Sequence, residues 1–387
     1  MQDPMISIWI TYYNDKDFIS ESIDSILSQS MDDFELILLN HASTDGSKEI
    51  CRSYCDKRIV HIDMDKNYGA GSGLLIRKFY EVSKGKYVKL FCADDIMMHD
   101  CLKRLSDYLE SNQGKDIVFS DLKYVEKDGI ETGDIWSKTR PYFHFCNREI
   151  DLFRLLINGV NCLPYPTVLI KKCVFDKIYI DNIAVGMFDM FLWASMVVND
   201  IKFGFIHDVL VKYRQHKNQI CTIDKYQALL QASGYESYIY TRIFNGIHIH
   251  DQIEYICDEV GIKKDFNMSD RDYIMYIVGR FYMNHEQQLY RSCGFIILHD
   301  LLQDDEKRLK IIREFNFDID NLRVLYRSLH ETKVYHPIGI KGYFKNRIQG
   351  KNPFALNLID ILVLVLRKFY KKISKLYKKE ATQKYTA

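Results

Sequence analysis

The 387-residue chain reads as an α/β protein built on a mainly parallel sheet flanked by helices, followed by an α-helical C-terminal region. Three observations predict this class. Short apolar runs rich in β-branched and aromatic residues occur at 5–11, 34–40, 58–63 and 86–92. Segments with helical spacing separate them. From about residue 221 onward the strand-like alternation stops and helical segments take over.

The first strand is read at 5–11, after a short lead, Met1-Gln-Asp-Pro4, that lies outside the fold. Phe18, Ile19, Ser22, Ile23, Ile26 and Leu27 repeat at helical spacing and carry the chain to the second strand at 34–40. Strands that alternate with helices make a parallel sheet covered on both faces. In such sheets ligands bind beyond the carboxyl ends of the strands. The candidate site is therefore Thr11-Tyr-Tyr-Asn14, Asn40-His-Ala-Ser-Thr-Asp45 and Cys92-Ala-Asp-Asp95. Past a boundary expected at 221/222, helical segments are read at 224–244, 270–284 and 291–302, within a helical domain over 222–350.

Net charge is +1, but residues 367–387 hold eight Lys/Arg against one Glu, which leaves −6 on residues 1–366. A nucleic-acid-binding body needs a basic face of its own, so no nucleic-acid partner is expected. The ten cysteines show no CxxC pair and no zinc-ligand spacing, and no secretory signal precedes the first strand, so a reducing cytoplasm is the expected compartment. In the tail, 351–387, Leu362, Leu366, Phe369, Ile373 and Leu376 recur at helical spacing with lysines on the opposite face. Its apolar run is shorter than the about 20 residues that span a bilayer. A basic amphipathic helix lying on an anionic membrane surface is expected, which makes the protein peripheral at the inner face; a helix docked on its own protein or a solvated end are the alternatives.

Two acids at a strand end can hold a divalent cation through oxygen ligands, and such a cation can neutralise a diphosphate. Alternatively Asp95 caps the next helix and Asp94 is merely solvated. Read in order, however, "ISIWITYYND", "FELILLNHASTDGS", "NYGAGSG", "GKYVKLFCADD", "FDMFLWASMV" and "YRQHKNQI" resemble, block by block, the family 2 glycosyltransferases of the GT-A fold. The resemblance covers about residues 5 to 220 and implies a catalytic domain over 1–221, with a nucleotide-sugar half at about 5–115 and an acceptor half at about 116–221. It also implies sugar transfer, usually with inversion, from a nucleotide-diphosphate sugar, here read as a UDP-sugar, to a hydroxyl of a glycan or lipid-linked acceptor in bacterial surface polysaccharide synthesis. The expected cofactor is Mn²⁺ or Mg²⁺.

Carried over residue by residue, the resemblance implies donor contacts from Thr11, Tyr12, Tyr13, Asn14, Asn40, Asp45, Asn67, Gly69, Cys92, Asp94, Arg214 and His216. Tyr13 either stacks on the base or packs in the core; Asn14 either reaches the donor or caps a helix. Where the family shows two acids before "xSTD", this chain has Asn40 and His41, and an amide both donates and accepts where a carboxylate only accepts. Cys92 stands at the first acid of the family's Asp-x-Asp-Asp motif. A thiol suits Mg²⁺ or Mn²⁺ poorly, so the metal ligands implied are Asp94, Asp95 and His216. Arg214 and His216 belong to a "YRxH" block that can meet a diphosphate. Phe188 replaces a usual Glu before Asp189, the candidate catalytic base that takes the acceptor's proton; capping the 190–198 helix is its alternative role. Leu163-Pro-Tyr-Pro-Thr-Val168 lies where the acceptor side is built. Two rivals remain. One is a degenerate GT-A module that binds nucleotide or glycan without turnover. The other, a nucleotidyltransferase, would show a basic, glycine-rich loop after the first strand, and "TYYNDKDF" has none.

Overall fold

The computed structural model describes residues 3–69, 73–140, 148–158, 160–178, 180, 188–217, 219, 246–285 and 288–328. The chain divides into two compact units, Met1–Glu331 and Thr332–Ala387, and the described residues all lie in the first. The tail at 351–387, the helix expected at 224–244 and the boundary at 221/222 lie outside the described residues.

Four parallel strands, β1 (Ile6–Tyr12), β2 (Phe34–Asn40), β3 (Ile59–Asp63) and β4 (Tyr87–Cys92), stand where the apolar runs place them. Helices α1 (Ile19–Leu27), α2 (Ser47–Ser53) and α3 (Gly73–Val82) connect them. After β4 the sheet becomes mixed, with β5 (Ile96–Met97), β6 (Ile117–Val125), β7 (Glu131–Ile135), β8 (Leu169–Lys171) and β9 (Phe203–Arg214). Among the described residues the strand order is β3-β2-β1-β4-β8-β6-β9-β5, with β7 paired to β6. Strand β8 runs antiparallel to both β4 and β6. One sheet thus runs from the parallel strands β1–β4 into the mixed strands that follow, joined by β8.

Alternation along β1 sends Ile6, Ile8 and Ile10 to one face, where they meet Ile19, Ile23 and Ile26 of α1. Trp9 points to the other face and stacks on Phe79 of α3 at 5.1 Å between ring centroids. Gly85 leads into β4 at a point where any side chain would overlap the Ser7 backbone. Its N–H donates to Ser7 Oγ at 2.8 Å, which seats β4 beside β1. The remaining helices are α4 (Cys101–Ser111), α5 (Trp136–Thr139), α6 (Glu149–Ile157), α7 (Phe188–Val198), α8 (His250–Val260), α9 (Arg271–Met283), α10 (Gln288–Gln303), α11 (Asp305–Phe315) and α12 (Ile319–Ser328). Ile256, Ile277 and Leu298 from the C-terminal helices share a core with Trp193 and the Trp9 face of the sheet. Among the described residues, no helix is long and apolar enough to cross a membrane.

Candidate functional site

Parallel register brings the strand ends level. Tyr12 lies beside Asn40, Thr11 beside Cys92 and Asn40 beside Asp63. The chain leaves β1 for β2 on one side and returns at β4 on the other, so the carboxyl ends of β1 and β4 flank the crevice where such sheets take ligands.

At the end of β1, Tyr12 is buried, whereas Tyr13 is 45% exposed, so of the two only Tyr13 offers a ring to a ligand. Asn14 takes a left-handed φ of 59°. Its Oδ1 accepts the Thr44 N–H at 2.8 Å, and its own N–H donates to Ser43 Oγ at 3.2 Å. Because α1 begins only at Ile19, Asn14 caps no helix and instead staples the β1 and β2 loops together. Asp45 accepts from Ser47 N–H at 3.0 Å and from Lys16 N–H at 3.1 Å, so its carboxylate holds the start of α2. Burial would raise its pKa, but these bonds and the Ser47 hydroxyl hold it low. Asn40 uses both ends of its amide: Nδ2 donates to Asp63 Oδ1 at 3.0 Å and Oδ1 accepts the Ser43 N–H at 2.9 Å. An aspartate here would face Asp63 across the strands, which gives the amide a local reason. Asn67 Oδ1 accepts the Gly69 N–H at 2.8 Å, and Gly69 takes a left-handed φ of 87° that glycine adopts freely. Gly71 lies outside the described residues.

At the end of β4, one ligand atom each from Cys92, Asp94 and Asp95 lie within 4.8 Å of one another. Asp95 is fully buried; its Oδ1 accepts the Arg214 N–H at 2.9 Å, while Oδ2 has no hydrogen-bond partner among the described residues. Burial, then the Asp94 carboxylate, push the Asp95 pKa well up, against the pull of the Arg214 N–H and the Cys92 thiol. Asp94 Oδ2 meets His216 Nε2 at 2.9 Å, and the His216 ring packs on Phe18 at 4.5 Å. Arg214 is 1% exposed and its guanidinium is committed inward. Nε donates to the Asp94 carbonyl at 2.8 Å, one terminal nitrogen to the Lys127 carbonyl at 2.6 Å and the other to Glu21. Arg214 therefore braces the Asp94–Asp95 turn through its backbone. Asp15, which sequence reading passed over, adds an acid here: burial and then the Asp94 and Asp45 carboxylates push its pKa up to about 6. Its place directly after Asn14 in the first strand-end block was the available signal.

At the start of α7, Asp189 Oδ2 accepts from Asn161 Nδ2 at 2.6 Å and Oδ1 from the Met190 N–H at 2.9 Å. Helix α7 starts at Phe188, so Asp189 lies inside its first turn rather than capping it; the Phe188 side chain is outside the described residues. Burial raises the Asp189 pKa, which makes a stronger base of it. Burial, and then Cys92 and Asp189, raise the Tyr165 pKa. Beneath it, fully buried Lys89 donates to the Leu90 carbonyl at 3.1 Å and to the Pro166 carbonyl, tying the 163–168 turn to β4. Burial lowers the Lys89 pKa to about 8.

Residues 7–171 match the family model described as glycosyl transferase family 2. An uncharacterized glycosyltransferase of Rickettsia prowazekii is 30% identical over 241 residues, spanning 60% of this chain and 70% of that protein. The Escherichia coli UDP-Glc:alpha-D-GlcNAc-diphosphoundecaprenol beta-1,3-glucosyltransferase WfaP is 25% identical over 59% of this chain and 84% of its own. Among solved structures, S. aureus TarS 1–349 in complex with UDP aligns with a TM-score of 0.50 and 14% identity, covering 86% of this chain and 93% of that one.

Proposed function

This chain belongs to glycosyl transferase family 2 and is a glycosyltransferase of GT-A fold, and from that premise we propose that it moves a sugar from a UDP-sugar to a hydroxyl of a glycan or lipid-linked acceptor in bacterial surface polysaccharide synthesis, with inversion. The observation that supports this reading is the cluster at the end of β4, where ligand atoms of Cys92, Asp94 and Asp95 lie within 4.8 Å of one another and Asp94 meets His216 at 2.9 Å. WfaP, whose name specifies a UDP-sugar and a diphosphoundecaprenol-linked acceptor, supports the donor and acceptor classes.

In this mechanism the donor base meets the exposed Tyr13 ring and the Asn67–Gly69 loop, and the diphosphate lies at the β4 end. Asp189 takes the proton of the acceptor hydroxyl as that oxygen bonds to the anomeric carbon. The bond from that carbon to the diphosphate breaks on the opposite face, and the configuration inverts. Asn161 and the Met190 N–H hold the carboxylate in place for the transfer.

The donor set at the β4 end fits a hard divalent cation: two carboxylates gathered closely, one with a buried oxygen that has no partner, beside an imidazole. Asp94, Asp95 and His216 would hold Mn²⁺ or Mg²⁺, which supplies charge neutralisation for the diphosphate when bound. Cys92, a soft donor, stands outside that set.

A thermal-shift screen of UDP, GDP, ADP and CDP with and without Mn²⁺ tests the site, since a ligand at 100 times its dissociation constant stabilises by about 2.7 kcal/mol. UDP is expected to stabilise the parent in Mn²⁺ and to lose that effect in Asp94→Ala; an unchanged shift in the variant would remove Asp94 from the donor site. Nucleotide binding without transfer to any acceptor would favour the degenerate module instead. Placement at the inner membrane face rests on the tail composition, and deleting 354–387 should abolish binding to anionic vesicles while UDP binding persists.

A further inference from the structure

His41 occupies the second position at which the family resemblance leads one to expect an acid, and the structure gives it a distinct set of partners. It is 3% exposed at the end of β2. Its backbone N–H donates to the Tyr12 carbonyl at 2.9 Å, extending the β1–β2 pairing by one rung. Its ring nitrogen Nε2 receives the Tyr68 N–H at 2.7 Å, and its ring lies nearly parallel to that of Tyr68, at 10° and 6.1 Å between centroids. A backbone N–H can only donate, so Nε2 carries no proton and the imidazole is the neutral Nδ1–H tautomer. Burial favours the same form by holding the His41 pKa below its ordinary value. Tyr68 is held at its far end too, with its hydroxyl donating to Asp65 at 2.8 Å. It stands between Asn67 and Gly69, whose own turn is closed by the Asn67 side chain.

We propose that His41 is a positioning residue of the donor site: by accepting the Tyr68 N–H and stacking on its ring, it fixes the 65–69 loop against the ends of β1 and β2 and so shapes the wall that receives the donor base. The inference rests on the strand-end donor site proposed above and adds a residue whose action is indirect, since its ring engages Tyr68 of the loop. The side chains that touch the base act at the position this bond sets.

The test is calorimetric binding of UDP in Mn²⁺ to the full-length parent, His41→Phe and His41→Gln, with thermal midpoints measured alongside. Phenylalanine keeps the ring stacking and loses the acceptor. Glutamine keeps an acceptor near the Nε2 position and loses the ring. His41→Phe should weaken UDP binding by about tenfold and lower the thermal midpoint, because the Tyr68 N–H loses its acceptor, and His41→Gln should recover most of both losses. Parent-like affinity in His41→Phe would overturn the proposal. Equal weakening in both variants with equally lowered midpoints would also overturn it, in favour of a histidine that only packs. A parent that binds none of UDP, GDP, ADP or CDP would instead overturn the donor-site reading, and the role of His41 with it.

Discussion

Asn161 Nδ2 donates to Asp189 Oδ2 at 2.6 Å across 28 residues of sequence, and this bond opposes the effect of burial on the carboxylate. Burial raises the Asp189 pKa, while the amide and the Met190 N–H pull it down. Asn161→Leu removes one of these restraints, so the pKa rises further. In the proposed mechanism transfer depends on the deprotonated form and is lost as pH falls through that pKa. The acid limb of the rate profile should therefore move to higher pH in Asn161→Leu, with activity recovered in alkaline buffer; a limb at the parent position would show that Asn161 does not act through Asp189.

Asp189→Asn is a harsher change than its size suggests. Both carboxylate oxygens accept bonds, and an amide must turn its NH₂ toward one of the two donors. Stability should fall by about 1–2 kcal/mol. The transfer rate should fall by about 10²–10⁴, the usual worth of a positioned base, with UDP affinity little changed. Transfer at the parent rate would exclude Asp189 as the base.

Cys92→Asp restores the acid that the motif lacks, beside Asp94 and a buried Asp95 whose pKa is already pushed up by burial and by its neighbour. A third carboxylate in that cluster repels the other two. Without metal the variant should melt below the parent, and Mn²⁺ should close the gap. A variant that melts lower by the same margin with and without Mn²⁺ would mean that the new acid stays outside the cation site.

Arg214→Met keeps most of the buried stem but leaves the Asp94 and Lys127 carbonyls without their donor. The expected loss is about 2–3 kcal/mol in urea unfolding, with UDP affinity falling because the Asp94–Asp95 turn has lost its brace. Glu21 is half-exposed, so Glu21→Gln should cost under about 1 kcal/mol. Lost affinity at parent stability in Arg214→Met would instead mean that the guanidinium meets the ligand.

The parallel strands were legible because a parallel strand buried on both faces is an unbroken apolar run, and because such a sheet delivers its strand ends to one crevice. Thr11, Asn40 and Cys92 could thus be grouped before their register was seen. What stayed hidden were partnerships set by tertiary contact. Asn161 lies 28 residues from Asp189, and Lys89 lies 77 from the Pro166 carbonyl it binds, with no local pattern to link either pair. Lys89 did leave a trace, a lysine inside an apolar strand, since a buried ammonium must find an acceptor. Arg214 hid its partners for the opposite reason: a motif arginine suggests phosphate, and nothing in the motif points to the two carbonyls and Glu21 that its nitrogens meet.

Among the described residues the strand order runs from β3 at one end to β5 at the other, with β7 paired to β6 off that path. Margins are where a second chain can add a strand and start aggregation, and short, charged edges discourage it. Here β5 has two residues and β3 has five. The β3 margin ends at Asp63, bridged to Lys48 at 3.2 Å and Arg52 at 2.8 Å. The same aspartate that secures Asn40 thus places a charged group at the more open margin, so a neutral residue at position 63 should loosen the strand end and make that edge more prone to self-association.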